Sequence, residues 1–335
     1  MSRVYTLLKL NRVVKSRRIK NLGIFILHSF RQRYIAIFFD PVLACNFRCK
    51  MCYFSDPEYR KKMKGKFEQD DLPKLAKAFF KRVLKLQIGC GAEPSLYAHN
   101  NEIIRLAKQY RIPYISMTSN ANLFNSRDLW ELAASGLDEI TLSLHGVTKE
   151  SYEYFMTNGS YEKFLNALET LTAVKEKYPA FKVRINYTVN NDNFKELISF
   201  FDCFAPYKFD ILQIRPIQEI GNSEYNIFSW NALRDAYDDV ISKLRQDCAE
   251  RGIVCITPSK NDLENHDEVS DASIVESTYC YISPQYIWKK DFNIQEDTFN
   301  SYSKKHHLGR RLFKNIFSKK RQINDRRQKL NYTID

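Results

Sequence analysis

The strongest constraint on the fold of this chain is a repeated alternation of short β-type runs and helical segments. Between residues 34 and 251, six runs rich in β-branched and aromatic residues are each followed by a segment with helical periodicity. The predicted strands span 34–39, 85–88, 114–118, 139–144, 182–189 and 211–215. The connections between them are too long for hairpins, so we expect parallel pairing through right-handed crossovers. The pattern predicts an α/β fold.

Changes in composition divide the chain into four parts. A basic helical segment comes first, the strand–helix repeats follow, and a small α/β addition and a basic helical tail end the sequence. The predicted boundaries are 1–33, 34–251, 252–300 and 301–335. The small addition contains two short runs typical of strands, at 253–257 and 285–289. The helices expected within the repeats span 69–82, 101–110, 126–135, 160–177, 193–204 and 230–251, with Ser126 as a capping residue.

The net charge of +13 is concentrated at the two ends of the chain. Residues 1–35 hold nine Lys and Arg and no acid, and residues 301–335 hold eleven Lys and Arg with two acids, so each end carries +9. The body between them carries −5. Because the positive charge lies outside the strand–helix repeats, the composition does not indicate a basic nucleic-acid-binding domain.

The two basic ends also carry apolar residues at helical spacing. Residues 3–33 are predicted to form helices interrupted at 21–23. Their apolar side chains are Ile24, Phe25, Ile26, Leu27 and Phe30. A helix packed on the domain edge and a basic amphipathic helix on an anionic membrane surface both fit this pattern. In the tail, an apolar cluster predicts a peripheral helix: Leu312, Phe313, Ile316 and Phe317.

The cysteine content indicates a reducing compartment. Eight cysteines in 335 residues are too few and too unevenly spaced for a disulfide-stapled secreted domain. The apolar stretch at 22–27 is short and lacks a cleavage site, and no run approaches the ~18 apolar residues that a membrane span needs. These features predict a cytoplasmic protein whose membrane contact, if it has one, is peripheral.

Three of the cysteines crowd into one loop after the first predicted strand. Cys45, Cys49 and Cys52 stand within eight residues, so their thiolates can surround one metal centre. Structural zinc sites usually take four protein ligands in two separated pairs, and no fourth ligand lies nearby. An iron–sulfur cluster held by three cysteines leaves one iron open for catalysis. Cys90, at the end of the second strand, is either a fourth ligand or a packed free thiol.

The spacing of these cysteines, and their place after the first strand, resemble the radical S-adenosylmethionine (radical SAM) superfamily. The resemblance covers residues 34–215 and implies a partial (β/α)6 barrel with one 4Fe–4S cluster and SAM. In that family one electron from the cluster splits SAM into methionine and a 5′-deoxyadenosyl radical. The implied electron source is an external flavodoxin or ferredoxin. The family's aromatic residue before the third cysteine is here Met51, followed by Tyr53, and both are assigned to the cofactor.

Two segments resemble the family's SAM-binding segments after the second and third strands. Gly91, Ala92 and Glu93 stand in place of the Gly-Gly-Glu segment that holds the methionine amino group. Glu93 alternatively serves as an acidic residue at a helix N-terminus. After the third strand, Ser119 and Asn120 resemble a family segment near the ribose.

Polar residues of the fourth and fifth strands extend the resemblance. Ser143 lies in a segment that resembles Ser-Leu-Asp-Gly of the family, with His145 in place of the acid. Arg184 and Asn186 resemble groups that reach the methionine carboxylate and ribose, and the forked Arg guanidinium suits a carboxylate. His145 is a candidate substrate acid or base that titrates near neutrality, or a structural hydrogen-bonding residue.

The remaining cysteines predict a single cluster. Cys203, Cys248 and Cys255 lie among apolar neighbours and are expected to be buried thiols. Cys280 resembles the start of a cysteine-rich C-terminal extension that carries auxiliary clusters in peptide-modifying relatives, but the other cysteines of that extension are absent.

The sequence therefore predicts a radical SAM enzyme that abstracts hydrogen from a substrate of unidentified class: a small molecule, a glycan or a peptide. An alternative hypothesis for its function is a non-catalytic iron–sulfur protein that acts on RNA or at a membrane surface through its basic ends. A third explanation for the ends alone is that their charge maintains solubility.

Overall fold

The computed structural model describes residues 14, 16–218, 221–225, 229–258 and 272–319. The predictions for residues 1–13, for part of the small addition and for the tail beyond residue 319 lie outside the described residues. The described residues fall into two compact units, bounded by 1–43, 65–116 and 269–335 for the first and by 44–64 and 117–268 for the second. The four-part division predicted from composition stays a prediction.

Strands and helices alternate along the described residues. The strands are β1 (Ile35–Phe39), β2 (Val83–Ile88), β3 (Tyr114–Ser119), β4 (Glu139–Leu144), β5 (Lys182–Val189), β6 (Ile211–Pro216), β7 (Val254–Ile256), β8 (Tyr279–Ser283) and β9 (Tyr286–Ile287). The α-helices are α1 (Arg17–Ser29), α2 (Pro57–Lys62), α3 (Asp71–Phe79), α4 (Asn100–Gln109), α5 (Ser126–Ala134), α6 (Lys149–Phe155), α7 (Tyr161–Lys177), α8 (Phe200–Phe204), α9 (Trp230–Glu250), α10 (Ala272–Thr278), α11 (Phe299–Lys305) and α12 (Leu308–Phe317). Short 3-10 helices span Tyr53–Ser55, Phe80–Arg82, Pro94–Leu96 and Phe194–Ser199.

The predicted strands are confirmed, and β4 and β5 match their predicted bounds at both ends. In β5 polar and apolar residues alternate, and every second side chain is buried. This period of two is what a strand with two different faces requires.

In the first unit, β1 lies between β2 and β8 and pairs in parallel with both. Ile37 of β1 aligns with Leu86 on one side and with Cys280 on the other. The strand β9 then pairs antiparallel with β8. The sequence does not predict β8, because its pairing depends on β1, which is distant in the chain. Cys280 is buried in this strand, which makes it a core thiol.

In the second unit, β4, β5, β6 and β7 are neighbours in that order and all run parallel. Their register aligns Ser143 with Asn186, and Asn186 with Gln213. With mostly parallel pairing and helices between the strands, the predicted α/β class is confirmed. None of the described helices is long and apolar enough to cross a bilayer.

The predicted interruption at 21–23 is wrong, because α1 runs through these residues without a break. The buried Asn21 side chain donates to the Arg17 carbonyl at 3.2 Å and to Ser273 Oγ on α10 at 3.3 Å. Apart from the adjacent residues and the backbone of the helix itself, no atom of the described residues lies within 4 Å of the position that a Gly23 Cβ would occupy. A tertiary contact thus stabilises a helix that local propensity disfavours.

Smaller differences concern helix ends and connections. Asn125, and not Ser126, caps α5, through a capping box with Asp128. The helix α6 is additional to those predicted. The segments expected as single helices at 69–82 and 193–204 each contain a 3-10 helix beside a shorter α-helix.

Two glycines allow a direct test of this packing. We expect Gly23→Ala to raise the free energy of unfolding by about 1 kcal/mol, because alanine favours a helix interior and the space is open. Gly146→Ala should lower it by about 3 kcal/mol, because the added Cβ would lie 2.3 Å from the Tyr152 backbone nitrogen. Denaturant unfolding of both variants measures the difference, and equal effects would contradict the packing around Gly146.

Candidate functional site

The loop with three cysteines lies in the second unit and has neither helical nor strand structure at 45–52. The Cys45, Cys49 and Cys52 thiols are half-buried, and none forms a disulfide. A tight turn closes the loop, since the Cys52 N–H donates to the Cys49 carbonyl at 2.9 Å. The turn brings the second and third cysteines to one end of the loop.

Main-chain hydrogen bonds attach this loop to its surroundings. The Arg48 N–H donates to the Thr157 carbonyl and the Lys50 N–H donates to the Phe155 carbonyl, both at 2.9 Å. On the other side, the Tyr225 N–H donates to the Lys50 carbonyl at 2.7 Å. These bonds hold the loop through its backbone.

Two side chains between and after the cysteines are buried in protein. Met51 packs with Phe155 and Ile217 and accepts a hydrogen bond at its sulfur from Asn190 Nδ2 at 3.1 Å. Tyr53 is buried against Phe54 and Tyr59. Met51 therefore anchors the loop in this apolar cluster.

The donor set of the loop fits an iron–sulfur cluster. Thiolates are the usual protein ligands of such clusters. Among the described residues, no group of three His, Cys, Asp or Glu side chains is placed to hold a single metal ion. Thiolates that each bind a different iron need not converge on one point. Burial raises the pKa of Cys52 to about 11, and a bound metal would favour its thiolate.

A polar face runs across β4, β5 and β6 in the second unit. Ser143 and Asn186 occupy one row of it, and Arg184 lies two residues earlier on β5. Arg184 Nε contacts Glu139 Oε1 at 2.8 Å, and its NH1 donates to Gln213 Oε1 at 2.8 Å. The buried Glu139 carboxylate therefore neutralises the Arg184 charge beneath the Ser143–Asn186 row.

Two buried polar atoms near this face have no hydrogen-bond partner in the structure. They are Asn186 Oδ1 and His145 Nδ1. Buried polar atoms are usually paired, so each atom is a place where a ligand can donate or accept a hydrogen bond. Burial lowers the pKa of His145 to about 4. This shift disfavours the charged imidazole at neutral pH, and the role of His145 stays a prediction.

The segment after β3 contacts the cysteine loop within the second unit. Asn120 Nδ2 donates to Asn46 Oδ1 at 2.9 Å. Ser119 Oγ accepts from the Ala121 N–H at 2.9 Å, and Ala121 has a positive φ of 61°. The Ser119 and Asn120 side chains thus shape a tight turn, and Asn120 places this turn against the loop.

In the first unit, a buried aspartate organises the Gly91–Glu93 region. Asp40 follows β1, and its side chain is inaccessible to solvent. It accepts from the Cys90 N–H at 2.8 Å, from the Gly91 N–H at 3.0 Å and from the Tyr281 hydroxyl at 2.9 Å. Burial raises the pKa of Asp40, although these hydrogen bonds act in the opposite direction. Asp40 is not among the predicted site residues, although its place directly after a buried strand is a signal that the sequence carries.

Glu93 and Cys90, the acid and the thiol of this segment, both have local hydrogen-bond partners. The buried Glu93 accepts from the Ser95 N–H at 3.0 Å and from Ser95 Oγ at 2.6 Å, which caps the following 3-10 helix. The Cys90 thiol contacts Asp40 Oδ2 at 3.4 Å. These contacts fit the structural alternatives given above, an acid at a helix N-terminus for Glu93 and a packed thiol for Cys90.

We expect Asp40→Ala to lower the free energy of unfolding by roughly 3 kcal/mol, because two backbone N–H groups and the Tyr281 hydroxyl lose their acceptor. Asp40→Asn keeps one acceptor oxygen and should cost far less. Because burial raises the pKa of Asp40, its contribution to the free energy of unfolding is greatest at low pH and is lost as pH rises through its folded pKa. The stability of Asp40→Asn relative to wild type should therefore increase with rising pH. Urea unfolding of the three proteins at several pH values measures these free energies. An Asp40→Ala variant as stable as wild type would contradict the role of Asp40 as an acceptor.

Comparison with known families identifies one match. The model of the radical SAM superfamily matches residues 41–202. Proteins named probable GTP 3′,8-cyclase are similar: that of Saccharolobus islandicus is 29% identical over 159 residues, which cover 47% of this chain and 49% of the relative. That of Sulfurisphaera tokodaii is 23% identical over 199 residues, or 59% of this chain and 61% of the relative. The chain thus matches about half the length of the first of these relatives.

Solved structures share the fold. Streptococcus suis SuiB bound to S-adenosylmethionine has a TM-score of 0.57 at 17% identity, covering 75% of this chain and 58% of that one. Native anSMEcpe with bound AdoMet has a TM-score of 0.57 at 16% identity, covering 83% of this chain and 84% of that one. At these identities the likeness concerns the fold.

Proposed function

The chain belongs to the radical SAM superfamily, whose members use a 4Fe–4S cluster and SAM, and we propose that it is an enzyme that cleaves SAM. The proposal assigns one cluster to Cys45, Cys49 and Cys52. The observation that carries it is the three-cysteine loop, which lies within the matched residues 41–202 and is held on both sides by main-chain hydrogen bonds. A cytoplasmic location and an external flavodoxin or ferredoxin as electron donor are part of the proposal.

The chain's own residues would prepare the loop for its cofactor. When bound, the cluster supplies the electron that splits the sulfonium of SAM. Arg48 and Lys50 hold the loop through their amides, and Met51 anchors it in an apolar cluster. The three thiols are thereby presented without a large loss of conformational freedom on binding iron.

In the second unit, the proposed contacts of SAM lie on the polar face. The unpartnered Asn186 Oδ1 can accept a hydrogen bond from a ribose hydroxyl, beside Ser143 in the same row. Arg184 lies beneath this row and forms an ion pair with Glu139, so we propose that it positions the row. The neutral His145 would face substrate as a hydrogen-bonding group.

The segment of Gly91, Ala92 and Glu93 is proposed to bind the methionine amino group, as the family resemblance implies. The support from the first unit is conformational. Asp40 holds the amides of Cys90 and Gly91 in one arrangement, so the segment is preorganised.

The substrate class stays open among small molecules, glycans and peptides. One similar structure is SuiB bound to precursor peptide SuiA, and another is anSMEcpe bound to the Cp18Cys peptide. The relatives named for GTP share higher sequence identity, at 29%. GTP is therefore the first compound to test as a second, more specific candidate.

Cys49→Ala should abolish both the visible absorbance of a reconstituted cluster and the cleavage of SAM, because two thiolates cannot retain it. Anaerobic reconstitution, dithionite reduction and chromatographic detection of 5′-deoxyadenosine measure both properties. The matched control is Cys203→Ala on α8, which should retain them.

Iron analysis of the wild type should give about four irons per chain, as one 4Fe–4S cluster requires. About eight irons would contradict the single cluster. If the reconstituted wild type never forms 5′-deoxyadenosine, the proposal of an enzyme would be overturned in favour of a non-catalytic iron–sulfur protein.

Adding GTP tests the more specific candidate. If GTP is the substrate, 5′-deoxyadenosine should rise at least about tenfold over the substrate-free reaction, because bound substrate commits the radical to hydrogen abstraction. The reaction with ATP is the control. Equal yields of 5′-deoxyadenosine with GTP, with ATP and without either would exclude GTP as the substrate. Such a result would not affect the proposal that the chain cleaves SAM.

A further inference from the structure

Two helices from opposite ends of the sequence lie side by side in the first unit. They are α1 (Arg17–Ser29) and α12 (Leu308–Phe317). The ring centroids of Phe25 and Phe313 are 5.4 Å apart, and the Arg17 guanidinium donates to the Asn315 carbonyl at 3.2 Å. The two basic ends of the chain thus contribute to one surface.

Helix α1 has an exposed apolar stripe in addition to its buried face. Ile24 is buried, whereas an outward row at spacings of three and four residues is exposed. The exposed side chains are Ile19 at 59%, Leu22 at 44%, Ile26 at 45% and Phe30, just past the helix, at 72%. Residues at this spacing share one side of a helix.

Helix α12 continues the exposed apolar surface. Its buried face is Leu308, Leu312 and Ile316. Phe313 and Phe317 point away from this face and are 49% and 67% exposed, with their ring centroids 5.5 Å apart. The half-buried Phe25 lies three residues after Leu22 on α1 and contacts Phe313 on α12, so it joins the exposed side chains of the two helices into one patch. We call this patch the α1–α12 surface.

The charged residues of the two helices have a single sign. Neither helix contains an Asp or Glu. The basic residues are Arg17, Arg18 and Lys20 on α1 and Arg310, Arg311 and Lys314 on α12. An apolar stripe on helices whose charged residues are all cationic complements a surface that is apolar below and anionic above.

Single exposed apolar residues are ordinary on a soluble protein, but five in one patch on two touching helices, with Phe30 directly after one of them, are not. A purely apolar partner would not need the surrounding cations. A nucleic acid would not need the phenylalanine and isoleucine side chains at the centre. A lipid surface with anionic headgroups uses both features.

We propose that the α1–α12 surface docks onto an anionic lipid bilayer, with the two helices in the plane of the interface. The large apolar side chains enter the headgroup–acyl boundary while the arginines and lysines contact lipid phosphates. Docking of this kind holds the protein at a membrane without a spanning helix.

Vesicle co-sedimentation of the full-length chain tests this surface. Wild type should bind vesicles of equal parts phosphatidylglycerol and phosphatidylcholine at least about tenfold more tightly than vesicles of phosphatidylcholine alone, and salt should weaken the binding. The variant Leu22→Ser, Ile26→Ser, Phe313→Ser and Phe317→Ser should lose at least about tenfold in affinity for the anionic vesicles. Because these side chains are exposed, circular dichroism should show unchanged folding.

The matched control is Leu123→Ser with Ile198→Ser, two similarly exposed apolar residues of the second unit. It should bind as wild type does. Equal binding to both vesicle types, an equal loss in the control, or no binding by wild type would overturn the proposal. Self-association that disappears only in the four-residue variant would also overturn it, by assigning the surface to a second copy of the chain.

Discussion

Parallel strand pairing is the constraint on which the polar face of this protein depends. In a parallel sheet all strands point the same way, so residues near their carboxyl ends share one edge. Register then places Ser143, Asn186 and Gln213 in one row across three strands. A shift of one residue in β5 would turn Asn186 toward the opposite, buried face and bring an apolar neighbour onto the polar face in its place. The pairing register therefore decides which polar groups can meet a ligand together.

Polar groups inside such a fold carry a desolvation cost, which here is met by dense hydrogen bonding. Glu139 and Arg184 neutralise each other below the polar row. Asp40 accepts hydrogen bonds from two amides and a hydroxyl. Buried charge pairs add little net stability compared with apolar packing. Their value in this protein is conformational, because each one holds a segment that the proposed function uses.

Local patterns were sufficient for much of the fold and part of the site. The alternation in 182–189 predicted β5 to the residue, because a strand's period of two is set by backbone geometry. The spacing of the three cysteines was visible without any tertiary information. In contrast, β8 and the cap of α5 were missed. The burial of β8 depends on pairing with β1, and the capping box depends on which of two adjacent polar residues leaves the helical conformation.

The sequence by itself determined the strand–helix order, the three-cysteine loop and the concentration of charge at both ends, because each depends on residues close together in the chain. Only the tertiary structure decided that Asp40 binds the Cys90 and Gly91 amides, that Arg184 pairs with Glu139, and that burial keeps His145 neutral. It also decided that α1 and α12 share one surface. The physical reason is that burial and hydrogen-bond partners come from distant segments, and local spacing carries no information about which segments meet.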